Sequence, residues 1–413
     1  MKSSISLKVR AMSYLLMLVY FASYVMRINF AVMIAKICSD MQIEKSSLAI
    51  VLTGLTIAYG TGQVISGILG DRIKPRTMII AGLTLASICN IAMFFSNTVT
   101  VMTAVWTING FAHSMLWPPI VRLLSSNLGD EEYSYAVVRV SWGSSIATIL
   151  LYSLCPALLG VMNWRAIIAS CAAVGVVTLV LWIVFSNKLF VSQEKSVKTD
   201  AAPEKTAHIP IPKYVFIAMA FIMLGIIFQG MLRDGVTDWV PSFLSESFGI
   251  AEEDAIFASV IPAIFSMVSF YVFDILHRKV FRNEVFCASV IFAGSMVFAI
   301  LLYISKIFLP SPVISLLLVA LIIACMHGIN LMLISVVPKR FAKSGKVATF
   351  SGLFNACTYI GAAIALPVFA RIAEIFGWNA TILSWAGVAL VGLLVCLLAA
   401  RRWKYFKKEY SDT

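Results

Sequence analysis

About a dozen stretches of roughly 20 or more predominantly apolar residues recur along this chain, each long enough to cross about 30 Å of hydrocarbon as a helix. They fall near residues 10–37, 48–70, 77–96, 99–127, 134–160, 164–187, 213–244, 254–277, 284–306, 311–336, 347–371 and 379–402. In lipid a single segment can satisfy its own backbone only as a helix. The expectation is therefore an all-α membrane protein of twelve transmembrane helices. Composition agrees: 60% of the 413 residues are apolar and only 13% charged, against about a quarter charged in a soluble domain. The first stretch is too long for a cleaved signal peptide and leads into further spans.

The net charge of +12 does not point to nucleic acid, because the basic residues are interspersed with apolar spans rather than gathered on one soluble domain. They alternate from loop to loop. Lys8 and Arg10 precede the first span, Arg72, Lys74 and Arg76 follow the second, and Arg278, Lys279 and Arg282 follow the eighth. Lys339, Arg340, Lys343 and Lys346 follow the tenth, and Arg401, Arg402 and Lys404 follow the last, while the intervening loops are neutral or acidic. Cytoplasmic loops collect Lys and Arg, which places both termini in the cytoplasm and suggests a bacterial inner membrane.

A polar, Lys- and Pro-containing stretch at 188–212 separates an N-terminal six-helix bundle, 1–187, from a C-terminal one, 213–413. The halves repeat: Arg27, Ile43, His113 and Trp164 have counterparts in Arg233, Ile250, His327 and Trp378 at nearly constant spacing. That pattern suggests two pseudo-symmetric bundles related by an axis along the membrane normal. Eight cysteines lie scattered, without metal-ligand spacing. With no phosphate-binding glycine loop and no nucleophile constellation either, no catalytic residue, cofactor or metal is expected.

Charged residues inside spans carry the chemistry. An arginine at mid-membrane costs at least about 2.5 kcal/mol and faces a partner or a watery cavity. Arg27 and Arg233 both sit in apolar helices, and two planar guanidinium forks suit an oxyanion. The competing reading makes each a structural ion-pair member, with Asp234 or Asp238 satisfying Arg233. Tyr20, Tyr24 and Arg27 recur at helical spacing and share a face. Gln229 lies one turn before Arg233, and Tyr59 and Gln63 pair at i, i+4. His113 and His327, in spans four and ten, can titrate near neutral pH. Trp117 and the prolines after it should bend the fourth span. Tyrosine, histidine and proline in spans also serve packing alone, and that reading stands beside the ligand-contact one.

The second loop reads Gly67-Ile68-Leu69-Gly70-Asp71-Arg72-Ile73-Lys74-Pro75-Arg76. With the twelve spans and the repeat, it resembles the Asp-Arg loop motif of the major facilitator superfamily. There the small residues let helices approach and the charges form a cytoplasmic gate; this implies a gate at Asp71, Arg72, Arg76 and Arg122. Arg27-Ile28-Asn29-Phe30, Ile57-Ala58-Tyr59-Gly60, Trp117-Pro118-Pro119, Asn163-Trp164-Arg165-Ala166, Leu232-Arg233 with Asp238-Trp239, Pro338-Lys339 and Ser351-Gly352-Leu353-Phe354 are similar to the organophosphate:phosphate antiporters within it. The resemblance implies that Arg27 and Arg233 bind phosphate, with Tyr20, Tyr24 and Tyr59 around them. The chain departs from that pattern at Ile28 and Gln63, where the family carries basic residues, and near Gly143 and Ser144, where it carries a histidine. Asp274-Ile275-Leu276-His277-Arg278 is a degraded second copy of the loop motif.

These features make the expected function secondary transport of a small organic anion, a phosphorylated metabolite exchanged for phosphate by alternating access. Its partners would be that anion (phosphate ester, phosphate or carboxylate) and the lipid bilayer, with the chain acting as a monomer. The rivals are a proton-coupled permease for a sugar acid or other carboxylate and, disfavoured by the lack of an appended signalling domain in this sequence, a membrane-embedded sensor.

Overall fold

The computed structural model describes residues 5–43, 45–190 and 211–411; most of the polar stretch at 188–212, and Glu44, lie outside the described residues. Every regular element among the described residues is helical. The chain divides into two compact units, one formed by Met1–Pro210 with Phe341–Leu353, the other by Ile211–Arg340 with Phe354–Thr413.

The first unit contains α1 (Leu7–Val32), α2 (Ile34–Met41), α3 (Lys45–Arg72), α4 (Pro75–Phe94), α5 (Val99–Ser114), α6 (Trp117–Asn127), α7 (Asp130–Leu159) and α8 (Trp164–Phe190). The starts follow capping chemistry. Ser6 and Thr98 accept backbone N–H groups of Val9 and Val101, and Pro75 opens α4 at a position whose N–H would be orphaned anyway. The fourth predicted span is broken at Met115–Leu116, and Pro118 and Pro119 fall in the first turn of α6. Their missing N–H groups cost nothing there, so the chain accommodates the prolines by restarting the helix rather than by bending it.

The second unit contains α9 (Val215–Thr237), α10 (Val240–Phe248), α11 (Glu252–Ala258), α12 (Val260–Lys279), α13 (Glu284–Phe308) and α14 (Pro312–Asn330). From α14 the chain passes through a widened i→i+5 turn at Leu331–Val336 into α15 (Val337–Lys339), and the last long element is α16 (Val347–Phe406). Within α16, Gly377 takes φ 76° and ψ 175°, a conformation that only glycine reaches without strain. The predicted eleventh and twelfth spans meet there.

Ten of these helical stretches are long and apolar enough to cross a membrane. The broken fourth span and the joined last two account for the difference from the dozen read in the sequence. The core is largely apolar, as in a soluble protein, but the surface is apolar as well. Ile57, Val177, Val268 and Leu398 are more than half exposed, while Asn29, Gln63, Asn90, Asn109 and Gln229 are fully buried. That arrangement suits a hydrocarbon solvent.

Candidate functional site

In the first unit, Arg27 is 8% exposed on α1. Its guanidinium carbon lies 4.2 Å from the Tyr24 ring centroid and 4.6 Å from that of Tyr59 on α3, two cation–π contacts that favour the charge where water is scarce. Tyr20, one turn before Tyr24, packs edge-on against it at 5.0 Å and against Trp117 at 4.9 Å. Tyr59 leads by one turn to Gln63, whose buried amide has no hydrogen-bond partner on either its oxygen or its nitrogen. His113 receives or donates one hydrogen bond, Nδ1 to the Ser23 hydroxyl at 3.0 Å, while its buried Nε2 and the buried Trp117 Nε1 have no partner. Orphaned buried polar atoms are rare and costly. Gln63, His113 and Trp117 adjoin the Arg27 surroundings through Tyr59, Ser23 and Tyr20, and buried polar atoms of the same kind also occur on Trp106, Trp164 and Trp385.

An asparagine network that the sequence reading passed over holds this face in place. Asn29 donates to Asn90 Oδ1 at 2.8 Å, and Asn90 and Asn109 both donate to the Met26 carbonyl, at 3.0 and 3.1 Å. The backbone immediately before Arg27 is thereby fastened to α4 and α5. Polar residues in otherwise apolar runs were the available signal, but periodicity alone does not say which helices they join.

In the second unit, Arg233 on α9 donates from Nε to Asp234 Oδ1 at 2.6 Å and from Nη2 to Oδ2 at 2.8 Å. Asp234, one of the two acidic residues considered as its partner, thus pairs with Arg233, which is not an uncompensated charge. The Tyr359 ring lies 5.7 Å away. Gln229, expected to extend the polar face, instead donates to the Met326 carbonyl at 3.1 Å and accepts from Thr358 at 3.4 Å. Its amide is committed to joining α9 with α14 and α16. His327 meets the edge of Phe270 at 5.4 Å.

The expected charge cluster at the second loop takes a different form. Asp71 accepts the backbone N–H groups of Ala348 and Thr349, each at 2.9 Å, and the Thr349 hydroxyl at 2.5 Å. These are the orphan donors at the start of α16, where a carboxylate is favoured by both hydrogen bonding and the helix dipole. Gly67, one turn earlier, permits the approach: a Cβ there would stand 2.8 Å from the Ala348 carbonyl oxygen. The arginines serve helix ends rather than Asp71. Arg122 donates to the Gly70 and Ile73 carbonyls closing α3, and Arg76 donates to the Ser186 hydroxyl and the Ile183 carbonyl on α8. Arg72 is exposed. With two backbone N–H groups and one hydroxyl donating to it, the Asp71 carboxylate is held by neutral donors at the start of α16 rather than by a guanidinium.

A second polar cluster lay outside the sequence reading. Glu284, at the first turn of α13 and fully buried, accepts from Arg340 Nε and Nη2 at 2.9 and 2.6 Å, from Lys407 at 3.1 Å and from Trp403 Nε1 at 3.1 Å.

Comparison with known proteins accords with this architecture. Residues 16–366 match the model of the Major Facilitator Superfamily. The chain is 24% identical to a glycerol-3-phosphate transporter of Bacillus subtilis (strain 168), covering 87% of this chain and 85% of that protein. It is 23% identical to a probable hexose phosphate transport protein of Chlamydia muridarum, covering 92% and 88% respectively. A phosphoglycerate transporter protein of Salmonella typhimurium is 22% identical, over 92% and 87%. On the extent of the family match and the run of apolar helices, this chain belongs to the Major Facilitator Superfamily and is a multi-pass membrane protein.

Proposed function

We propose that this protein is a secondary transporter that moves a phosphorylated small metabolite across a bacterial inner membrane in exchange for phosphate, with Arg27 and Arg233 engaging the anion. On this reading the chain has twelve spans in two pseudo-symmetric bundles that alternate access, both termini face the cytoplasm, and the monomer is the working unit. Tyr20, Tyr24, Tyr59, Gln63, His113 and Trp117 complete the surroundings of Arg27, His327 belongs to the Arg233 side, and Asp71 with Arg72, Arg76 and Arg122 serves the gate. The observation that carries the reading is the buried Arg27 between two tyrosine rings, accompanied by unpartnered polar atoms on Gln63, His113 and Trp117. A charge in an apolar helix faces a partner or a watery cavity, and an anionic guest suits a guanidinium so placed. The kinship with proteins named for phosphate-ester transport supports the choice of guest.

Proteoliposomes loaded with inorganic phosphate test it. Labelled glycerol 3-phosphate or glucose 6-phosphate should enter only when phosphate is inside. Uptake of gluconate driven by a proton gradient and indifferent to internal phosphate would instead establish a carboxylate permease, and binding without flux a sensor.

A further inference from the structure

A third arginine, Arg139, lies within a helix long and apolar enough to cross a membrane. The 30 residues of α7 extend about 45 Å, and centred in about 30 Å of hydrocarbon the helix carries Arg139 roughly 6 Å inside the apolar layer, at the end where it starts. The guanidinium carbon is 3.2 Å from the Tyr135 ring centroid and 5.5 Å from that of Trp142. At 3.2 Å only face-on contact fits. Its one hydrogen bond among the described residues runs from Nη1 to the Tyr135 carbonyl at 3.2 Å, and its buried Nε has no partner. No carboxylate pairs with it among the described residues: the acidic residues of α7 all lie in its first turn, and α1, packed along it, has none. We infer that Arg139 is a second oxyanion-binding position in the first unit, separate from Arg27, and that its ligand is a phosphoryl group.

All five N–H donors of a guanidinium lie in its plane, whereas an aromatic ring takes its flat face. Tyr135 and Trp142 therefore ease the charge without using the donors. Nη2 makes no hydrogen bond among the described residues, and on a half-buried side chain it is not sealed in. Its position along the helix sets it apart from Arg27. A Cβ on Gly143, one turn past Arg139, would stand 2.6 Å from the Met17 carbonyl oxygen on α1, while Ala147, Leu151 and Cys155 share a core with Val25, Phe30 and Met33. The two helices thus run parallel, and Arg139 and Arg27 are about 18 Å apart along them. One small metabolite cannot span that. Near the rim of the hydrocarbon a long basic side chain extends to the interface, where phosphoryl groups come from two sources: the headgroup of an anionic lipid, or a soluble phosphate moving toward Arg27. The first source stands by itself; the second rests on the proposed carriage of a phosphorylated anion.

Binding to the purified full-length protein, stripped of phospholipid in detergent, tests this with two probes: inorganic phosphate, and phosphatidylglycerol set against a diacylglycerol of the same chains. Each is measured in wild type, Arg139→Gln, Arg27→Gln and the double variant. Arg139→Gln should weaken at least one probe by about tenfold or more, the worth of one charge-assisted contact, and should do so in the Arg27→Gln background as well. A fall in phosphate affinity identifies the soluble source. A fall confined to phosphatidylglycerol, with diacylglycerol unaffected, identifies the lipid headgroup. If Arg139→Gln does not fold, Arg139→Lys keeps the charge, replaces the fork by a point donor and should weaken the same probe by a few fold. Affinities for both probes equal to wild type in the Arg139 variants, with or without a lowered unfolding temperature, would overturn the inference and leave Arg139 a packing residue. Undiminished phosphate binding in Arg27→Gln would instead remove the Arg27 handle and leave a loss at Arg139 standing.

Discussion

Asp71 and Thr349 stand 278 residues apart in the chain, yet the Asp71 carboxylate accepts both the backbone N–H and the hydroxyl of Thr349. With the Ala348 N–H added, one side chain from the end of α3 satisfies the first turn of α16. The Asp-Arg loop pattern thus acts here as a helix cap supplied from a distance.

Removing that cap has a stated size. Asp71→Ala should cost about 0.5–2 kcal/mol, the usual worth of a capping side chain, and Asp71→Asn less, since its amide oxygen still accepts. If the contact also controls the gate, cysteines placed on the cytoplasmic side should label faster in Asp71→Asn than in wild type. Equal labelling rates with a lowered unfolding temperature would leave Asp71 a cap and nothing more.

Glu284 makes a sterner test of structural importance. Its carboxylate is fully buried and offsets Arg340 and Lys407, whose side chains are 12% and 18% exposed. Breaking a buried pair from one side costs about 3–5 kcal/mol because the remaining charge is uncompensated. Glu284→Ala should therefore lower the thermal unfolding midpoint far more than Lys407→Ala, whose ammonium also reaches the Arg282 carbonyl at the exposed rim. Fluorescence-monitored melting of the two variants checks the ranking, and equal losses would reverse the assignment of Glu284 as the hub.

How legible all this was in the sequence depends on the interaction. The helical class and the membrane character follow from run length and hydropathy, which are local properties. Arg27 stood out because a charge inside an apolar run is expensive wherever it points, and its partners Tyr24 and Tyr59 were found by helical spacing and resemblance. Asn90 and Asn109 were not singled out: an asparagine is cheap enough to pass unnoticed, and its value arises only from α1 bringing the Met26 carbonyl within reach of both. Glu284 was read as the start of a span, since nothing local reveals that Arg340 and Trp403 converge on it. The interruptions after Ser114 and at Gly377 are marked in the sequence, by Pro118 and Pro119 and by the gap between the last two apolar runs; what it leaves open is that the fourth span restarts rather than bends.

His113 allows a narrower prediction. Its Nδ1 is engaged with Ser23 and its Nε2 is the orphaned atom, so the imidazole is positioned by one nitrogen and offers the other. His113→Phe should weaken phosphate binding by a few fold to tenfold, in line with about 0.5–1.5 kcal/mol for one hydrogen bond. Ser23→Ala, which frees the ring to rotate, should weaken binding less. Binding isotherms at fixed pH measure both. Undiminished affinity in His113→Phe would return the residue to helix packing.

The two arginines make different demands on their replacements. Arg27 is held by ring faces, which accept an ammonium as well as a guanidinium, so Arg27→Lys should fold normally and reveal the cost of losing a planar fork alone. Arg233 is held by a two-point carboxylate pair, and Lys can offer Asp234 only a point contact, so Arg233→Lys disturbs ligand and partner together. For an oxyanion gripped at two points, each lost charge-assisted contact is worth about 1.5–3 kcal/mol, or roughly ten- to a hundredfold in affinity. Phosphate affinity should fall by that order in Arg27→Lys. In Arg233→Lys the fall should be smaller, because the weakened hold on Asp234 also lowers the competition the ligand must overcome. Were Arg233 a structural ion-pair member only, its Lys variant would bind phosphate as wild type does. Near-wild-type isotherms in both variants, at matched expression, would sink the assignment of either arginine to the anion.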